Sequence, residues 1–170
     1  LSYMHPEAHL YAFEPVEENF TVLSSKFSGF SNINKLALIN SVGETKFYKN
    51  KILQASSFLP IKLQSKKKYG FLSETSLIKV NTTTLDNYFN KISLETPIFL
   101  KLDTQGTEDL VLKGGKRILN DVNFIYIETS FGGLYKGQCS FDDIYNYLRN
   151  FGFEYKGGSL IDYGFFPFFN

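Results

Sequence analysis

The chain has 170 residues, enough for one domain with a substantial core. Its Lys+Arg 18 against Asp+Glu 17 leave a net charge of +1, which removes any overall electrostatic pull toward nucleic acid or an anionic membrane. Its one cysteine, Cys139, excludes an internal disulfide and a cysteine-built zinc site and is compatible with a reducing compartment. No stretch approaches the roughly 18 apolar residues of a membrane span and no charged-then-apolar leader opens the chain, so a cytoplasmic protein is expected. Residue 1 is Leu, so the chain is expected to be either a fragment or a trimmed form.

In chain order, LYAF at 10–13 is a candidate buried strand ended by Glu14. Pro15 suits the first position of a helix and Glu17 and Glu18 its first turn. Val16, Phe20, Leu23 and Phe27 share one face, and Gly29 is the expected stop. INKLALI at 33–39 is the next strand candidate; after a turn at 40–43, its partner at 45–48 is either the return of a hairpin or an added edge strand. Residues 50–68 show neither a period of two nor one of 3.6 and read as an irregular excursion holding Ser56 and Ser57. Lys66, Lys67 and Lys68 close it as a solvated loop, with phosphate binding as the alternative. Residues 76–80 look extended, and 85–89 look like a short helix started by Thr82, Thr83 or Thr84.

Residues 97–115, PIFLKLDTQGTEDLVLKGG, organise the rest. The apolar run at 98–102 predicts a strand buried on both faces, closed by Asp103. Gly106 turns the backbone, and Thr107, Glu108 and Asp109 place oxygens at the amides of a new helix. That helix should lie on the sheet, with Gly114 or Gly115 allowing close approach. NFIYI at 123–127 is a further buried-strand candidate ending in Glu128. Ser140 with Asp143 predicts a capped helix whose Phe141, Ile144, Leu148 and Phe151 share a face, stopped by Gly152. Residues 153–156 and 160–163 look like an antiparallel pair across Gly157 and Gly158. The whole predicts a single α/β domain over 1–170 with a mostly parallel centre.

The chemistry lies in a recurring pattern: an apolar strand followed at once by a carboxylate, at Glu14, Asp103 and Glu128. Parallel neighbours would bring these acids to one rim, where open α/β sheets bind ligands. The alternative for each is a helix cap. His5 and His9 stand four apart across Pro6, which argues against a helix presenting both to a metal. There is no G-x-S-x-G, no P-loop and no G-x-G-x-x-G.

YAFEP at 11–15, NINKLAL at 32–38, SSFLP at 56–60, TLD at 84–86, LKLDTQGTEDLVLKGG at 100–115 and FIYIET at 124–129 together resemble the FkbM-type S-adenosylmethionine-dependent methyltransferases. The resemblance implies a Rossmann-like methyltransferase sheet, mostly parallel with an antiparallel C-terminal strand and here without its N-terminal strand and glycine-rich loop. It implies methyl transfer from S-adenosylmethionine to a hydroxyl of a small molecule such as a sugar or secondary metabolite. By the same resemblance Glu14, with Pro15, would hold the cofactor's ribose hydroxyls, Ala37 and Leu38 would border the adenine, and Asp103 would stand at the methyl-transfer end. Asp103 is the first candidate for the base that takes the hydroxyl proton and Glu128 the second. Family members usually carry Glu where this chain has Gln105. With the loop absent, the isolated chain is expected to bind S-adenosylhomocysteine weakly or not at all, and an open sheet edge would invite a second copy. Competing readings are a non-catalytic remnant serving as an interaction module and, more distantly, a nicotinamide- or nucleotide-binding enzyme. The aromatic run at 165–169 would be either a docking patch or the last strand of the core.

Overall fold

The computed structural model describes residues 7–27, 31–129, 133–158 and 164–169. In chain order these form β1 (Leu10–Phe13), α1 (Glu17–Lys26), β2 (Ser31–Asn34), β3 (Ala37–Leu38), β4 (Gly43–Asn50), α2 (Leu63–Lys68) and β5 (Thr75–Thr83). There follow α3 (Leu85–Tyr88), β6 (Ile98–Leu102), α4 (Glu108–Lys113), β7 (Val122–Thr129), α5 (Phe141–Arg149), β8 (Glu154–Tyr155) and β9 (Gly164–Phe169).

Among the described residues the strands make three hydrogen-bonded sheets where a single one was expected. β1 and β2 pair in parallel; β3, β5 and β4 form a second sheet, with β3 parallel and β4 antiparallel to β5. The third, ordered β6-β7-β9-β8, has a parallel β6–β7 pair followed by the antiparallel β9. The run at 33–39 is therefore not one strand. Its halves belong to β2 and β3, and β4 pairs with β5, so no β3–β4 hairpin forms. The final pairing is β8 with β9; residues 160–163 of the expected pair lie outside the described residues, as do His5 and Gly29. The run at 165–169 is strand β9, as one of its two readings required.

Several helices begin where the capping chemistry said they would. Thr84 accepts from the Asn87 amide to start α3, and Ser140 and Asp143 form a reciprocal capping box at α5. Glu14, not Pro15, organises the start of α1: the Val16 N–H donates to its carboxylate at 2.7 Å. The stretch 50–68 is more regular than its sequence suggests, with a 3-10 turn at Leu53–Ala55 and with Lys66, Lys67 and Lys68 in the last turn of α2. Here the basic side chains complement the helix C-terminus.

The main core lies between the β6–β7 sheet and the helices α4 and α5, with Val111, Leu112, Ile125, Ile127, Ile144 and Leu148 all fully buried. β6 departs from expectation. Only Leu102 is buried, and Phe99 is 48% exposed on a strand expected to be covered on both faces. The physical reason is that β6 has β7 on one side and, among the described residues, no strand on the other. α4 packs so closely that a side chain at Gly114 would fall on the Ile39 carbonyl oxygen. Asp86 of the TLD motif accepts from the Arg117 and Ile118 amides at 3.0 Å and ties α3 to the turn after α4.

Candidate active site

Leu102 pairs with Ile127 in the parallel ladder, so the next residue on each strand, Asp103 and Glu128, stand side by side at the carboxyl rim. Between them comes the Gln105 amide: Nε2 donates to Asp103 Oδ1 at 2.9 Å and to Glu128 Oε2 at 3.1 Å. Lys101 Nζ reaches Asp103 Oδ2 at 3.0 Å. Burial raises Asp103, but hydrogen bonds from Glu128, Lys101 and Gln105 outweigh it and hold this carboxyl below its usual range. Burial, then the hydrogen bond and charge of Asp103 and the charge of Glu108, push Glu128 up to about 8 against the pull of Lys101. The two carboxyls thus form one coupled pair that near neutrality holds a proton on the Glu128 side.

The turn that delivers Gln105 is built by Glu108. This side chain is 2% exposed and accepts from the Thr104 amide at 2.8 Å, the Thr104 hydroxyl at 3.1 Å and the Gly106 amide at 3.1 Å. Desolvation raises its pKa, opposed by these hydrogen bonds. Gln105 itself has φ +56°, a conformation non-glycine residues rarely adopt, and Gly106 follows at φ +95° with Tyr135 and Gln138 so near that an added Cβ would meet both at 3.1 Å. From 48 residues upstream, Ser57 Oγ donates to the Gln105 carbonyl at 2.7 Å. An antiparallel bridge between Ile61 and Tyr135 brings the segment after β7 alongside. The Tyr135 hydroxyl then lies 3.0 Å from Gln105 Oε1 and 3.1 Å from the Ala55 carbonyl, with one proton to give to either.

Gln105, Gly106, Glu108, Glu128, Thr129, Leu134, Tyr135 and Gln138 line a small cleft whose free volume, about 10 Å³, suits one water molecule. Thr129, 3% exposed, has a buried hydroxyl with no hydrogen-bond partner among the described residues.

Of the residues singled out in the sequence, Asp103 and Glu128 come together and Glu14 does not join them. Glu14 lies after β1 in a different sheet, and its carboxylate accepts from Val16 N and from Asn19 Nδ2 at 3.2 Å. Burial raises its pKa beyond what those two bonds lower. Pro15 precedes α1, Ala37 is buried with Val16, Phe47 and Val80, and Leu38 packs on the main core. A carboxylate has about four lone-pair sites and two of Glu14's are used, so its chemistry still suits ribose hydroxyls. Ser57, Gln105, Glu108, Thr129 and Tyr135 were not chosen from sequence as site residues. Glu108 two places after Gly106 was the readable signal; Tyr135 had none. Among the described residues there is no acidic or His/Cys cluster able to hold a metal, and Cys139 is a half-buried thiol pushed up to about 12 by burial.

A protein named 2-O-methyltransferase NoeI, from Sinorhizobium fredii (strain NBRC 101917 / NGR234), is 38% identical over 74 residues, which is 44% of this chain. The matched stretch spans only 30% of that relative's length. No solved structure matches the chain. The family model described as the methyltransferase FkbM domain matches residues 2–155, and the chain belongs to that family.

Proposed function

We propose that the protein transfers a methyl group from S-adenosylmethionine to a hydroxyl oxygen of a sugar-like or secondary-metabolite-like small molecule, with the Asp103–Glu128 pair as proton acceptor. Membership of the FkbM family supports the transfer, and likeness to the 2-O-methyltransferase NoeI supports oxygen as the acceptor atom. The observation that carries the reading is the acid pair itself: two carboxyls at the ends of adjacent parallel strands, bridged by one amide, at the rim where α/β sheets hold ligands.

The cofactor, when bound, supplies an electrophilic methyl on a sulfonium. Glu14 would hold its ribose hydroxyls, and Leu38 would lie near the adenine. The acceptor oxygen would form its bond to the methyl carbon as the C–S bond breaks and that electron pair returns to sulfur, leaving a neutral thioether, while the hydroxyl proton would pass to the carboxylate of the acid pair. Holding donor and acceptor in line can supply roughly 7 to 11 kcal/mol of the barrier. Between the two acids, Glu128 is the better final proton holder, because its raised pKa of about 8 matches the working pH where Asp103 stays ionised.

The test is a pH–rate profile of the purified protein with S-adenosylmethionine and a panel of hydroxylated glycans. The rate should climb about tenfold per pH unit and level off above the pair's upper step. Glu128→Gln should lower the plateau at least about a hundredfold. A Glu128→Gln protein that methylates at the parent rate would remove the base assignment; S-adenosylmethionine binding seen by calorimetry without methyl transfer to any hydroxylated acceptor would remove the reaction.

A further inference from the structure

We infer that Gln105 is a positioning residue whose side-chain amide joins the Asp103 and Glu128 carboxyls into one proton-accepting unit, and that Ser57 and Tyr135 hold this amide in place. Its part in methyl transfer rests on the function proposed above; its part in coupling the two acids does not.

The geometry makes the amide specific. Its two N–H bonds are divided between the carboxyls, 2.9 Å to Asp103 and 3.1 Å to Glu128. Its oxygen faces the Tyr135 hydroxyl at 3.0 Å, so turning the amide over would set an oxygen against the carboxylates. The backbone is clamped as firmly. The left-handed conformation at Gln105 is held by the Ser57 hydroxyl on its carbonyl and by Glu108 on the amides of the residues flanking it. A residue that merely filled space would need neither strained backbone nor anchors from two distant segments.

The groups facing Glu128 are Lys101 of β6, Asp103 just after it and Glu108 of α4, with Gln105 as the neutral donor between the acids. Two of these charges oppose ionisation of Glu128 and one favours it. Removing the amide donors therefore leaves the doubly ionised pair with fewer compensating hydrogen bonds, and its upper proton should be harder to remove.

The experiment is a ¹³C NMR titration of Asp and Glu carboxyls in the cofactor-free chain. Gln105→Met keeps the side chain's length without its donors, and the upper step of the pair should move up by about one pH unit or more. Gln105→Gly suits the left-handed backbone and should show the same shift, so it decides the matter if the Met protein folds poorly. Tyr135→Phe should shift the step in the same direction by less. An upper step unmoved in Gln105→Gly, with the amide spectrum otherwise native, overturns the inference. Because the titration needs neither cofactor nor turnover, a protein that transfers no methyl group still tests the amide. Methyl transfer accompanied by an unmoved titration would overturn the amide's role alone.

Discussion

Glu128 releases its proton near its ordinary 4.5 when unfolded but at about 8 when folded. Between those values the folded state binds the extra proton, so this residue's contribution to stability declines as pH rises through that window. Asp103 works in the opposite sense: its lowered pKa adds stability above its unfolded value, and that is lost as pH falls. Glu128→Gln should therefore gain stability over the parent at about pH 9 and little or none at about pH 5, where the parent already carries the proton; urea unfolding at both values checks this. Glu108 is a different case, since its task is to satisfy amides in a buried turn. Glu108→Ala strands the Thr104 and Gly106 N–H groups and should cost about 2 to 3 kcal/mol in urea unfolding. At this scale the sequence showed which residues were acids at strand ends, because an apolar run closed by a carboxylate is a local signal. It did not show that Gln105 joins them, since that depends on Ser57 and Tyr135 arriving from 48 residues before and 30 residues after.

Among the elements, α4 and its flanking turns carry the site, and their placement depends on a contact no wider than a hydrogen atom. Gly114 faces the backbone oxygen of Ile39, which cannot move without disturbing the chain after β3. Gly115 faces the buried Leu85, whose Cδ1 and Cβ would lie 2.8 and 3.2 Å from an added Cβ, side-chain atoms that yield more readily than the backbone oxygen opposite Gly114. Gly114→Ala should accordingly cost about 2 kcal/mol or more and Gly115→Ala under about 1 kcal/mol, read as denaturation midpoints. Helices with capping residues were legible: α3 and α5 begin at Thr84 and Ser140 as their sequences require. The strands within 33–39 were not, because two parallel pairings with different partners divide a run that was read as one strand across its polar residues Asn34 and Lys35.

Across the whole molecule, the β1–β2 pair is joined to the main core through α3 instead of through a shared ladder. Tyr11 meets Phe89 edge-on at 5.0 Å, Phe13 meets Tyr88 at 4.7 Å, and the Tyr88 hydroxyl donates to Asn34 Oδ1 at 2.9 Å. β7, by contrast, is hydrogen-bonded on both sides, to β6 and to β9. Amide exchange should therefore be slowest along β7 and about tenfold or more faster along β1, a gradient measurable by NMR; equal protection would contradict it.

By itself the sequence determined the capped starts of α3 and α5, the acids that end β1, β6 and the apolar part of β7, and the family, because each is written in contiguous residues whose capping chemistry and apolar patterning act locally. Tertiary structure decided which acids meet, that Glu14 stays with α1, and that a glutamine with a left-handed backbone stands between Asp103 and Glu128. Those outcomes depend on strand pairing and on hydrogen bonds between segments far apart in the chain, whose energies no local pattern encodes.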